Sequence, residues 1–150
     1  QVFFVSIGGF DNHDFVLTQH PGLLGQLANG LSTFQSAMTE LGMADNVTTF
    51  TASDFGRTLS SNGDGSDHGW GSHHLIMGGA VRGQRFWGKM PLLANNGPND
   101  VGQGRLIPTS SVDQLAATLA KWMGVSATEI KTLFPNISRY DQSDLGFFSA

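Results

Sequence analysis

The chain has 150 residues, 39% hydrophobic and 13% charged, with a formal charge of −4, which predicts one soluble domain spanning 1–150. Eight Lys plus Arg, none in a run, exclude a nucleic-acid surface, which needs clustered positive charge to displace counterions. No apolar run approaches the roughly 18 residues that span a bilayer, and the lack of cysteine removes disulfides, thiolate ligands and a cysteine nucleophile while leaving the compartment open.

In chain order, Val2-Phe3-Phe4-Val5-Ser6-Ile7 is a continuous apolar run, the pattern of a strand buried on both faces of a parallel sheet. Such a strand needs neighbours on both sides, so residues 1–150 are expected to be the C-terminal portion of a longer chain, whose N-terminal half is its natural partner. Leu24, Leu27, Leu31, Phe34, Met38 and Leu41 recur at spacings of three and four, which predicts a helix with Pro21 in its first turn and Gly42 as its stop. A second strand is expected over Val47-Thr48-Thr49-Phe50-Thr51-Ala52. Strand, helix and strand then form a right-handed crossover with parallel strands. Asp11 and Asp54 each follow the end of a strand, at the sheet edge where open α/β folds bind ligands, so the two polar segments are expected to converge.

Further on, 75–77 and 80–87 are expected to form a hairpin, and 91–108, with Pro91, Pro98, Pro108 and Asn-Gly and Asn-Asp turn signals, a surface loop. Ser111 with Gln114 and Ser126 with Glu129 are capping boxes that open two helices, the first closed by Gly124 and the second stopped by Pro135. The tail from Asn136 is aromatic but aperiodic.

The segment Ser53–Gly79 holds three of the five histidines, three of the ten aspartates and seven glycines. A long irregular segment of this kind is functional or disordered, and imidazole with carboxylate suits a divalent ion, zinc or manganese before calcium. Asp11, His13, Asp54, Asp67, His68 and His73 are the candidate metal ligands. Each has a plainer reading: Asp11 as a turn cap, His13 as a solvated loop residue, Asp67 as the residue that orients His68. Of His73 and His74, at most one is expected to point inward. Arg57 either binds an anionic group through its fork of donors or pairs with Asp54. Asn62-Gly63-Asp64-Gly65-Ser66-Asp67 has a faint calcium-loop pattern, but His73 stands where an EF-hand places Glu.

Gly8-Gly9-Phe10-Asp11-Asn12-His13, Ser53-Asp54-Phe55-Gly56-Arg57-Thr58, Asp67-His68-Gly69 and Gly78-Gly79-Ala80-Val81-Arg82-Gly83 together resemble the bacterial domain-of-unknown-function family fifteen-oh-one, nearly end to end. That family resembles a distant branch of the alkaline phosphatase and sulfatase superfamily. Thr49-Phe50-Thr51-Ala52-Ser53-Asp54-Phe55-Gly56 is similar to the strand that superfamily members end with Thr-Ala-Asp-His-Gly, and the segment 108–119 is similar to their closing Asp-Leu-Ala-Pro-Thr-Leu helix. The implied fold is the C-terminal half of an alkaline-phosphatase-like α/β fold, a partly parallel sheet with flanking helices.

The resemblance implies a metal-dependent hydrolase of phosphate or sulfate esters, acting on a small anionic substrate and located in the periplasm or secreted. Asp11 and His13 would take the place of an Asp-x-x-x-His ligand pair, Asp54 that of the aspartate in an Asp-His pair, and His68 or His73 that of the distal histidine. Arg57 would neutralise charge developing on the transferred group. The attacking residue belongs to the N-terminal half of such folds. Asp11 and His13 are one residue apart rather than three, and Phe55 stands where the superfamily has histidine. Phe55 in place of histidine is the best evidence for the rival expectation, a non-catalytic exported binding or assembly module that keeps the fold. Either way, an uncovered sheet edge predicts a homo-oligomer or pairing with the missing half.

Overall fold

Among residues 1–149, which the computed structural model describes, the longest element is the helix α1, Val16–Glu40. It begins five residues before Pro21, which lies inside it. The expected first-turn role of Pro21 is thus corrected, and the reason is a cap from far along the chain. Asp64 accepts the Phe15 N–H on its carboxylate Oδ2 at 2.9 Å and the Val16 N–H on its carbonyl at 3.1 Å. These bonds satisfy N–H groups that a helix start leaves free. At the other end Gly42 acts as the expected stop. It takes the left-handed conformation (φ 67°), with Gly42 N–H bonded to the Thr39 carbonyl and Met43 N–H to that of Met38, a Schellman ending.

The opening apolar run does not form a strand. Residues 1–12 carry no helix or strand, and Val2, Phe3, Phe4 and Val5 are 80–90% exposed. A hydrophobic run becomes a strand only when a neighbour pairs with its backbone, and none of the described strands does. Both sheets among the described residues are two-stranded and antiparallel. In one, β1 (Thr49–Phe50) pairs with β4 (Ile76–Met77), Thr49 opposite Met77. In the other, β2 (Arg57–Ser61) pairs with β3 (Ser66–His68), Arg57 opposite His68. The expected parallel crossover between 2–7 and 47–52 is therefore not formed. The expected 75–87 hairpin is also replaced: β4 turns to β1, while Val81 pairs with Phe148 of the tail, flanked by Arg82 N–H to the Phe147 carbonyl and Ser149 N–H to that of Ala80.

Both capping boxes are present as the sequence predicts. Ser111 and Gln114 open α2 (Val112–Trp122), and Ser126 and Glu129 open α3 (Ala127–Leu133), each with the reciprocal side-chain to backbone bonds. Ala117 of α2, Ile130 of α3 and Ile137 of the following 3-10 turn form a buried cluster lined by Ala120, Val125 and Phe134. Phe147 is the most buried large side chain, and Phe148 stacks on Trp122 at 5.0 Å. The aperiodic tail thus supplies core.

The loop 91–108 is held by Asp100, whose carboxylate accepts the N–H groups of Asn96, Gly102 and Gly104. It docks on β2 through Leu59 N–H to the Gly104 carbonyl. In contrast, α1 contains no fully buried residue, and its apolar stripe is open, with Leu24 and Phe34 both exposed. The total surface, 10461 Å², is well above the roughly 7,400 Å² of a folded monomer of this length. Mixed helix and antiparallel strand therefore describe a small α/β chain with one tight polar-loop region and one open apolar face.

Candidate metal centre

The candidate site is built on Asn12. This side chain is buried, and its Nδ2 donates to the Gly9 carbonyl at 3.0 Å and to Gln19 Oε1 at 2.8 Å, tying the 9–13 turn to α1. Its flanking neighbours Asp11 and His13 then project from a fixed backbone. The β2–β3 hairpin closes over the same turn. Asn62 Nδ2 donates to the His13 carbonyl at 3.0 Å, and Gly65 lies so close to the carbonyl oxygens of His13 and Asn12 that a Cβ there would collide with both. Only glycine admits that approach.

Pairing of β2 with β3 sets Arg57 beside His68, and both reach Asp11. Arg57 Nη1 donates to Asp11 Oδ1 at 2.7 Å, Nη2 to the carbonyls of Asn12 and Ser66, and Nε to Ser66 Oγ at 3.2 Å. The same Asp11 oxygen is 2.9 Å from His68 Nε2 and 3.1 Å from His13 Nδ1. The Arg57 bond, followed by that from His68, holds the Asp11 carboxyl below the usual carboxylate range. Side chains of Asp11, His13 and His68 stay about half exposed, at 56%, 45% and 47%, so the cluster opens to solvent.

The ligand atoms of Asp11, His13 and His68 all lie within 4.8 Å of one another. Donors about 2 Å from a common tetrahedral ion sit roughly 3.3 Å apart, close to the 3.1 Å and 2.9 Å separations about Asp11. Two imidazoles and one carboxylate are also a donor set that zinc accepts. The residues present fit a single divalent ion, with a coordination position left over.

The other sequence candidates lie outside this cluster. Asp54 is exposed at the end of the β1 segment, and Arg57 pairs with Asp11 instead of Asp54. Asp67 Oδ1 accepts from Asn62 Nδ2 at 3.2 Å, and the Asp67 N–H binds Thr58 Oγ1. His73 and His74 are both exposed; His74 lies 3.3 Å from Thr51 Oγ1, and its partial desolvation, followed by the charge of His73, lowers its pKa. Within the loop that has a calcium-like pattern, Asn62 Oδ1 accepts the Gly65 N–H and Asp64 Oδ2 that of Phe15, so both oxygens serve the fold.

Two residues of the site escaped sequence reasoning. Asn12 lies between two stronger ligand types, and the signal for it is an amide shortly after Gly8-Gly9 at the turn into a helix, a pattern of anchored backbone. Phe55, read as a lost ligand, stacks face to face on His68 with ring centroids 3.7 Å apart and planes 13° from parallel.

No curated protein and no solved structure matches the chain. The sequence model described as "Protein of unknown function (DUF1501)" matches residues 1–136, a span that contains the whole cluster, and the chain belongs to that family.

Proposed function

We propose that this chain carries the metal-binding part of a hydrolase acting on phosphate or sulfate esters, with Asp11, His13 and His68 as ligands of one zinc or manganese ion. The observation that supports this reading best is the meeting of Asp11 Oδ1 with His13 Nδ1 and His68 Nε2 around one solvent-facing point. Three protein ligands with an open position are the usual arrangement of catalytic rather than structural zinc sites. Once bound, the ion would supply Lewis-acid polarisation of an ester oxygen.

In this reading Arg57 holds Asp11 in place. Four of its five N–H donors are engaged with Asp11, Asn12 and Ser66, which leaves little of the fork for a substrate anion. The finer placement in an alkaline-phosphatase-like fold rests on the motif resemblances at 49–56 and 108–119. The same resemblance supports a periplasmic or secreted location and an attacking Ser, Thr or formylglycine supplied from outside the described residues.

Calorimetric titration of zinc and manganese into the wild type, Asp11→Asn and His68→Ala tests the centre. The expected result is a single binding event in the wild type, weakened by at least tenfold in each variant, since each loses one of three ligands. Equal, weak heats from all three proteins, with no turnover of aryl phosphate or aryl sulfate by the intact protein, would favour the rival reading of a non-catalytic binding or assembly module.

A further inference from the structure

We infer that Phe55 is a positioning residue for His68, an inference that rests on the metal reading above. Here a flat apolar ring lies against a ligand, its centroid 3.7 Å from that of His68 and nearly parallel to it.

The stacking is imposed by the backbone. Gly69 N–H donates to the Gly56 carbonyl at 2.6 Å. A Cβ on Gly56 would collide with the Gly71 carbonyl, and one on Gly69 would come within 2.7 Å of the Arg57 carbonyl carbon. Glycine on both sides lets the two segments approach this closely. Phe55 and His68, the residues just before Gly56 and Gly69, are thereby brought face to face. Ser53 Oγ donates to the Phe55 carbonyl at 3.0 Å and fixes the approach to this point.

The consequence concerns an imidazole that is otherwise half exposed. Rotation of the His68 ring about its last torsion would sweep its edge through the Phe55 ring, so the stack retains the rotamer that sets Nε2 against Asp11. A ligand held in its binding rotamer loses less freedom when an ion arrives, which is preorganisation. Phe55 makes no bond to an ion itself; it acts through His68.

Zinc affinity and the visible spectrum of the cobalt-substituted protein, measured on the wild type, Phe55→Leu and Phe55→Tyr, test this. Phe55→Leu is expected to bind zinc about tenfold more weakly, the lower range for residues that orient metal ligands, with altered cobalt bands. Phe55→Tyr, which keeps the ring face, is expected to restore both. If Phe55→Leu melts too low to titrate, Phe55→Met, which fills the volume without a flat face, takes its place with the same expectation. A wild type without zinc affinity overturns the metal centre and this role with it. A wild type that binds, beside a ringless variant that binds equally tightly with the same cobalt spectrum, overturns the positioning role alone.

Discussion

Arg57 Nη1 lies 2.7 Å from Asp11 Oδ1, joining a residue of β2 to the turn before α1 across 46 positions of sequence. Through Nη2 and Nε the same guanidinium ties the Asn12 carbonyl to Ser66. It is the clamp that closes the polar-loop region, and it orients the carboxylate at the centre of the His cluster.

Arg57→Lys preserves charge but replaces a planar fork by a point charge that cannot span Asp11, Asn12 and Ser66 at once. With Arg57 only a quarter exposed, the expected loss is about 1–2 kcal/mol, seen as a melting temperature lower by roughly 3–8 °C. Thermal denaturation followed by circular dichroism reads it. A melt equal to that of the wild type would show that the clamp is incidental.

Acid should weaken the metal-free fold in two stages. His74 has a lowered pKa in the folded chain, from burial and then from His73, so on acidification the unfolded form takes up a proton first. Its contribution is complete above the ordinary value of 6.5 and is lost as pH falls through the lower folded value. The carboxyls of Asp11, held down by Arg57 and His68, and of Asp100, held down by the Asn96 N–H and those of Gly102, Gly104 and Arg105, behave likewise below their ordinary 3.8. Urea midpoints between pH 2.5 and 8 should therefore fall first below about pH 6.5 and again below about pH 4. His74→Gln is expected to flatten the first step and Asp100→Asn the second. Variants that retain both steps unchanged would assign the acid sensitivity elsewhere.

Local signals were legible in the sequence and long-range ones were not. Ser111 with Gln114, Ser126 with Glu129, and Gly42 each satisfy backbone groups within a few residues, so the residues themselves carry the information. The start of α1 is set by Asp64, 49 positions from Phe15, and no local pattern around Pro21 could announce it. Val2–Ile7 has strand composition, yet among the described residues no strand pairs with it, which composition alone does not disclose. Sequence reasoning expects Asp11 and Asp54 to meet at the edge of a parallel sheet, but the structure brings Asp11 to Arg57 and His68 and leaves Asp54 outside. An antiparallel hairpin whose backbone approaches through Gly65, Gly56 and Gly69 makes that meeting.

The open apolar face also has a measurable consequence. Val2–Val5 and the stripe of α1 together leave a surface far larger than scattered exposed residues would give. The 150-residue chain is expected to bind an apolar fluorescent dye strongly at neutral pH while still melting cooperatively. Phe4→Asp with Leu24→Gln should reduce the dye signal by at least half without lowering the melting temperature, because neither side chain is buried. An unchanged signal would place the dye-binding surface elsewhere.

Asp54 separates the structural reading of the site from the one that motif position implies. By motif resemblance it would take the place of the aspartate in an alkaline-phosphatase-type Asp-His pair; by geometry it lies outside the Asp11–His13–His68 cluster and is exposed. An Asp→Asn change removes a charged ligand while preserving size, so at a true ligand it should weaken binding severely, and at an outlying carboxylate only through distance-weakened attraction screened by solvent and salt. Asp54→Asn is therefore expected to alter zinc affinity by less than about threefold where Asp11→Asn alters it by tenfold or more. Phe55→His is the companion probe. It offers the imidazole that the motif resemblance would place here but removes the ring face on His68, and with Asp54 outside the cluster it should create no second binding event. Calorimetry on the four proteins, wild type included, decides between the two. A large loss in Asp54→Asn together with a second zinc in Phe55→His would mean that the bound state draws Asp54 inward and that the metal centre is assembled from both segments.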